Sequence, residues 1–167
     1  MTRFSVLFAF LFLPFLSLSA QQLHLNKGDF EVAGSAAFNS GELGGDLRFG
    51  AFVADYLQIG LEVEYRDTDL ATRTGAGLYA IRLFETRTYL LPYAGAALGL
   101  GSLDVDGGDS ESGAEFTLLT GLKYYLADNV SLNTELRFGA GTGDTYLSDD
   151  EKNSTDVSLR IGLSYLW

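Results

Sequence analysis

An acidic stretch near the middle of the chain, DVDGGDSESGAE, has side chains that could bind a cation. Asp104, Asp106 and Glu115 stand at positions 1, 3 and 12, where a calcium-binding loop places carboxylates. The stretch departs from that pattern because position 5 is Gly108 and position 6, normally glycine, is Asp109. Asp104, Asp106 and Asp109 are therefore weak calcium candidates. The departures favour a solvated acidic loop, and we predict no metal site and no cofactor.

Catalysis would need a base, and the one histidine in the chain is His24, in QQLHLNKG. Nucleophilic hydrolysis needs a base positioned beside the nucleophile, whereas His24 precedes the first predicted strand. The chain has no cysteine, which excludes disulfides and thiolate metal sites. The sequence therefore predicts no catalytic residues, and we expect a protein that is not an enzyme.

Ion pairing is the chemistry that the charged residues favour. Six acids and six bases alternate with apolar residues in the predicted strands. They are Glu31, Asp46, Glu62, Glu64, Glu115, Glu135, Arg48, Arg66, Arg82, Lys123, Arg137 and Arg160. Because an unpaired buried charge costs several kcal/mol, such matching suits a narrow interior. We predict that these twelve residues form an interior ion-pair network.

The elements that must position these charges are predicted from hydrophobic alternation with a period of two. In YLQIGLEVEYR, every second residue from Leu57 to Tyr65 is apolar, and polar residues or glycine mostly stand between them. Eight segments of about ten residues behave in this way, which is the length of a tilted strand that crosses a bilayer. In TGAGLYAIRLF, we place Tyr79, Ile81 and Leu83 on the apolar face and Arg82 opposite. TYLLPYAGAALGLG is apolar on both faces, so its facing stays open.

The connections between these segments alternate in length. Short turns are predicted at 54–55, 85–87 and 127–129, and longer polar loops near 39–44, 67–74, 101–114 and 139–156. Short turns at one end and long loops at the other are typical of outer-membrane barrels.

The direction of the two strand faces separates two fold hypotheses. A soluble sandwich or a lipocalin-like barrel would bury the apolar face and expose the charges. The balance of acids and bases on the strands favours the inverse, with apolar side chains in lipid and paired charges inside. The predicted fold class is all-β, a transmembrane eight-stranded antiparallel up-and-down β-barrel.

Aromatic residues near the strand ends support this orientation, because aromatic belts mark the two membrane interfaces. The predicted belt at the turn end comprises Tyr56, Tyr89, Tyr93, Tyr124, Tyr165 and Trp167. The predicted belt at the loop end comprises Phe38, Tyr65, Phe116 and Phe138.

Export is predicted from the first 20 residues, which have Arg3, an apolar run and a small-residue ending. We interpret residues 1–20 as a signal peptide and 21–167 as one barrel domain. Without Arg3, ten basic residues stand against 22 acidic ones, so nucleic acid is not an expected partner.

Three stretches, VADYLQIGLEVEY, PYAGAALGLG and LRIGLSYLW, together with the signal peptide, resemble the small eight-stranded outer-membrane barrels of Gram-negative bacteria. These are the OmpA/OmpX-type and wider porin-like barrel proteins. The resemblance implies an outer-membrane location, lipid and lipopolysaccharide as surroundings, and a monomer. It also implies that Tyr165 and Trp167 form a C-terminal insertion signal for the barrel-assembly machinery, although phenylalanine is commoner than tryptophan at its last position.

The expected function is structural or surface-interacting, with a plugged interior and acidic loops that face outward. A narrow porin-like channel or transporter for small solutes is the alternative. The loops and adjoining strand ends hold twelve acids against Arg73 and Lys152. The acids are Glu42, Asp67, Asp69, Asp104, Asp106, Asp109, Glu111, Asp144, Asp149, Asp150, Glu151 and Asp156.

Overall fold

The computed structural model describes residues 24–39, 42–68, 71–105, 110–148 and 151–167. The predicted signal peptide, Asp106 and Asp109 lie outside the described residues. Within those ranges, no helix is long and apolar enough to cross a membrane.

Ten strands account for most of the described chain. They are β1 Phe30–Asn39, β2 Glu42–Ala54, β3 Leu57–Asp67, β4 Ala71–Leu83, β5 Leu90–Val105, β6 Ser110–Ala127, β7 Val130–Gly141, β8 Tyr146–Ser148, β9 Glu151–Asn153 and β10 Thr155–Leu166.

Eight of these strands form a closed antiparallel barrel in the order β1-β10-β7-β6-β5-β4-β3-β2. The cylinder closes where β1 pairs with β10, with Val32 opposite Tyr165. Strands β8 and β9 form a separate hairpin in the connection from β7 to β10. Closure leaves the barrel sheet with no edge strand, as hydrocarbon requires. The predicted all-β, transmembrane eight-stranded antiparallel up-and-down barrel is confirmed.

The two ends of the barrel differ in their connections. We call the end with the β2–β3, β4–β5 and β6–β7 turns the turn end, and the opposite end the loop end. Several loops are shorter than predicted. Strands β5 and β6 remain paired as far as Asp104 and Ser110, because a continued ladder supplies partners for backbone groups.

Side chains alternate between the two faces of the wall. On β3, Leu61 is 58% exposed whereas Gln58 is 1% exposed. On β10, Leu163 is 55% exposed whereas Arg160 is 3% exposed. The exposed apolar side chains form a band around the barrel, which is the surface that hydrocarbon covers.

The predicted facing of β4 is wrong. Tyr79, Ile81 and Leu83 are buried in the interior, whereas Arg82 is exposed on the outer face. Its Nη1 donates a hydrogen bond to the carbonyl oxygen of Asp55, at 2.7 Å. The physical reason is that the interior is apolar at the turn end, so an apolar residue there does not mark the lipid face.

Strand β5, whose facing the sequence left open, turns Leu91, Tyr93 and Leu103 inward. Leu98 and Leu100 point outward and are exposed. Tyr93 was expected in the turn-end belt, and this placement corrects that expectation.

Candidate functional site

The candidate functional site is the barrel interior, which begins with an apolar layer at the turn end. The buried members of this turn-end cluster are Leu25, Phe52, Tyr56, Tyr79, Ile81, Leu83, Leu91, Tyr93, Ala97, Leu119 and Tyr125. Tyr56 therefore lies inside the cluster and not in the predicted outer belt. Leu25 precedes β1 and belongs to residues 24–29, which we call the N-terminal strap.

The ion pair of Glu31 with Lys123 lies next to the turn-end cluster. Lys123 Nζ on β6 donates to both carboxylate oxygens of Glu31 on β1, each at 2.6 Å. Both residues are buried, at 2% and 4% exposed. Because β1 and β6 are three places apart in the barrel order, this pair joins nearly opposite walls.

The centre of the interior is held by Arg48 on β2 and Glu135 on β7. Arg48 Nη1 donates to Glu135 Oε2 at 2.8 Å, and Nη2 contacts Oε1, so the pair is bidentate. Glu135 also accepts a hydrogen bond from the Tyr93 hydroxyl, at 2.9 Å. Arg48 Nε lies 3.2 Å from a carboxylate oxygen of Glu62 and 3.2 Å from one of Asp46.

Two more arginines extend this layer toward the loop end. Arg137 Nη2 donates to the carboxylate oxygens of Glu62 at 2.6 and 2.9 Å. Arg160 bridges two carboxylates, with Nη1 2.9 Å from Asp46 Oδ1 and Nη2 2.8 Å from Glu64 Oε2. Each carboxylate thus meets charged groups from more than one strand.

A third charged layer lies below the loop end and centres on Arg73. Its Nη1 is 2.6 Å from Glu64 Oε1, and its Nη2 is 2.6 Å from Glu115 Oε2. The loop after β7 turns inward over this layer, so Arg73 Nε donates to the Thr145 carbonyl at 3.0 Å. The guanidinium lies 4.5 Å from the ring centroid of Tyr146. Burial raises the pKa of the Tyr146 phenol to about 12, which leaves a neutral ring against the cation.

Eleven of the twelve charged residues predicted for the interior have inward-facing side chains in this structure; Arg82 does not. The eleven are Glu31, Asp46, Arg48, Glu62, Glu64, Arg66, Glu115, Lys123, Glu135, Arg137 and Arg160. Sequence reasoning missed Arg73 and Asp156, which it assigned to the loops. Asp156 lies 3.5 Å from Arg66. Strand parity could have found Asp156, because it shares a face with Arg160. Parity would not have found Arg73, because it shares a face with Tyr79, which the sequence placed on the lipid side.

Two small cavities lie among the described residues of this charged interior. Each has a volume of about 30 Å³. One lies toward the loop end beside Arg73 and Arg137, and the other lies beside Lys123 and Gln58. A polar space of this size holds about two water molecules.

Of the calcium stretch, the structure describes Asp104 and Glu115, whereas Asp106 and Asp109 lie outside the described residues. Asp104 is exposed on the outer face of β5, whereas Glu115 points inward to Arg73. The two carboxylates therefore lie on opposite faces of the wall. Within the described ranges, no three His, Cys, Asp or Glu side chains are grouped so that they could hold a metal ion.

The predicted insertion signal lies on the outer surface at the turn end. Tyr165 and Trp167 are 47% and 54% exposed, and their ring centroids are 6.2 Å apart. Trp167 also stacks with Phe30 on β1 at 6.3 Å and contacts Phe49 on β2 at 5.9 Å. These rings form an aromatic patch across the seam where the barrel closes.

Comparison with known proteins finds similarity at the level of structure. No family model and no curated protein matches the sequence. The N-terminal β-barrel domain of Pseudomonas aeruginosa OprF superimposes with a TM-score of 0.69 and 18% identity, covering 86% of this chain and 100% of that domain. Neisserial surface protein A superimposes with a TM-score of 0.60 and 21% identity, covering 82% of this chain and 94% of that one. The outer membrane protein OprG from Pseudomonas aeruginosa superimposes with a TM-score of 0.61 and 13% identity, covering 88% of this chain and 99% of that one.

At these identities the similarity concerns architecture and not activity. It agrees with the strand order, with the closure of β1 on β10, and with the outward apolar band. The fold of this chain is that of the small eight-stranded outer-membrane β-barrels, the OmpA/OmpX type that its sequence resembles.

Proposed function

We propose that this protein is an integral outer-membrane barrel with a structural or surface-interacting role, and that its interior is closed to diffusing solutes. The observation that carries the proposal is the filling of the interior. Three charged layers and the turn-end cluster leave cavities of about 30 Å³ each. An interior of eight strands is just wide enough for side chains, and here they occupy it.

Conductance across planar lipid bilayers tests this closure. Folded protein, recognised by faster gel migration before heating than after, should give no steady, large channels. Such channels in a preparation of folded protein would contradict the proposal.

A narrow channel for small solutes is the second candidate. It is favoured by the two polar cavities, which lie on either side of the layer that contains Arg48 and Glu135. Under this alternative, the wild-type protein carries small, steady currents. Replacing both Arg48 and Glu135 with serine should then enlarge them. If the wild-type protein carries no current even at high protein load, the closed interior is favoured over the channel.

The proposal includes export by the signal peptide, insertion by the barrel-assembly machinery, and a monomer surrounded by lipid and lipopolysaccharide. The exposed apolar band and the outer aromatic patch support a membrane location. We propose no catalytic activity, since His24 lies on the strap, outside the charged layers. Density-gradient separation of the two membranes should place the protein in the outer fraction, and recovery in the soluble fraction would refute the location.

A further inference from the structure

The N-terminal strap is bound to the turn end by backbone hydrogen bonds. Gly28 N donates to the Phe52 carbonyl at 2.8 Å, and Phe52 N donates to the Asp29 carbonyl at 2.8 Å. Tyr56 N donates to the Leu25 carbonyl at 3.3 Å. The strap is therefore joined to the end of β2 and to the β2–β3 turn, and it lies outside the barrel ladder.

The strap turns back on itself before β1 begins. Asn26 N donates to Asp29 Oδ2 at 2.8 Å, and Lys27 N donates to Asp55 Oδ1 at 3.1 Å. Gly28 has a φ of 102°, a backbone conformation that favours glycine. This turn directs residue 25 toward the barrel axis.

Leu25 is the apolar contribution of the strap to the interior. Its side chain is 0% exposed and belongs to the turn-end cluster with Leu83, Leu91 and Tyr125. Its neighbours His24 and Asn26 are exposed. Leu25 thus enters the mouth of the barrel from a segment that is otherwise mostly exposed.

We propose that the strap is a detachable plug, in which Leu25 seals the turn end and its release admits water and small solutes. Release breaks a few hydrogen bonds of a peripheral segment and leaves every barrel strand paired, so it is the least costly opening at this end. The ion pair between Glu31 and Lys123 would then be reached from the turn end. This plug would govern access in a closed barrel and in a narrow channel alike, so the inference goes beyond the proposed function.

A buried thiol beside Tyr125 of the turn-end cluster can report release of the plug. The chain has no cysteine, so Ser131→Cys would introduce a single thiol. Ser131 is 1% exposed and lies opposite Tyr125 of the turn-end cluster in the β6–β7 register. The measurement is the rate at which N-ethylmaleimide labels this thiol in the folded, detergent-solubilised protein.

Adding Leu25→Asp to Ser131→Cys should raise the labelling rate by about tenfold or more, because local opening controls access to the thiol. Leu126→Ala is the matched control, since Leu126 lies at the same end but is 59% exposed. Its labelling rate should equal that of Ser131→Cys alone. Equal rates with and without Leu25→Asp would overturn the proposal.

Gly28→Ala provides a second variant in case Leu25→Asp does not fold. A methyl group at residue 28 meets nothing within 4 Å, but the φ of 102° is strained for alanine. The substitution therefore loosens the strap without touching the barrel wall, and faster labelling is expected. An unchanged rate in folded Gly28→Ala protein would also count against the plug. Wild-type conductance tests the proposed function separately.

Discussion

Individual arginines in the interior each serve more than one carboxylate. Arg137 contacts Glu62 at 2.6 Å and lies within 4 Å of Glu64 and Glu135. A buried ion pair of this kind adds little net stability over a well-packed apolar pair, but loss of one partner leaves a charge without compensation. The interior is therefore sensitive to single substitutions.

Arg137→Leu should lower the free energy of unfolding by about 3–5 kcal/mol, because Glu62 would remain buried without its closest cation. Urea unfolding in lipid vesicles measures this change. Arg82→Leu is the matched control, as Arg82 is exposed on the outer face. It should leave the unfolding midpoint nearly unchanged, and equal losses in the two variants would contradict an inward network.

Tyr93→Phe should cost about 1.5–3 kcal/mol, the usual range for a hydrogen bond to a charged group. The variant removes the hydroxyl that donates to Glu135 and leaves the ring in place. The same urea titration measures it, with Tyr165→Phe on the outer face as the control. If Tyr93→Phe left the free energy of unfolding unchanged, the hydroxyl would not stabilise the Glu135 carboxylate.

Much of the charged interior was predictable from residue type and parity. Glu62 and Glu64 alternate with Leu61 and Val63. In a barrel that crosses a membrane, the leucine and valine must then face lipid and the two carboxylates must face the interior. Arg73 was missed because it stands beside Thr72 and Thr74, near the loop end of β4, where no apolar neighbour marks the outer face.

At the scale of elements, glycines on the inner face make room for tyrosine rings. A methyl group at Gly121 on β6 would clash with the Thr134 carbonyl oxygen on β7 and lie 2.6 Å from the ring of Tyr93 on β5. The glycine therefore leaves room for this ring, whose hydroxyl donates to Glu135. The contact between Gly121 and Tyr93 therefore links the packing of β5 against β6 to the charged layer that contains Glu135.

Gly121→Ala should destabilise the barrel by about 1–3 kcal/mol, as expected for overpacking. Gly75→Ala on β4 is the control, because its added methyl group would meet its nearest neighbours at 3.7 Å, an ordinary contact. Unfolding of both variants in urea gives the comparison. A Gly121→Ala protein as stable as Gly75→Ala would show that the Tyr93 ring and the Thr134 backbone both move at no cost.

Strands β3 and β10 were predictable because apolar residues alternate with polar residues or glycine from Leu57 to Tyr65 and from Val157 to Tyr165. Strands β4 and β5 were not, since both carry apolar residues on each face near the turn end. The interior changes from charged to apolar along the barrel axis, so side-chain polarity alone cannot define the inside. The facing of β4 follows instead from its pairing with β3. Arg73 stands opposite Arg66, so the two side chains share the inner face.

For the whole molecule, the aromatic patch at the seam supports a prediction about assembly. Trp167→Ala should reduce the folded, heat-modifiable fraction in outer membranes several-fold, while the protein that does fold unfolds at a similar urea concentration. The reason is that Trp167 joins β10 to rings of β1 and β2 on the surface. Leu159→Ala, also exposed on β10, is the control. Equal folded fractions of Trp167→Ala and Leu159→Ala would contradict a role of Trp167 in insertion.

The seam between β1 and β10 also determines when folding can end. Glu31, near the first described residues, pairs with Leu166, next to the last. Contacts so distant in sequence are slow to form, and a nascent chain that lacks β10 has seven strands and two open edges. Such an intermediate has no stable place in hydrocarbon, so stable insertion needs the closed barrel. Closure of the barrel therefore depends on β10, Thr155–Leu166.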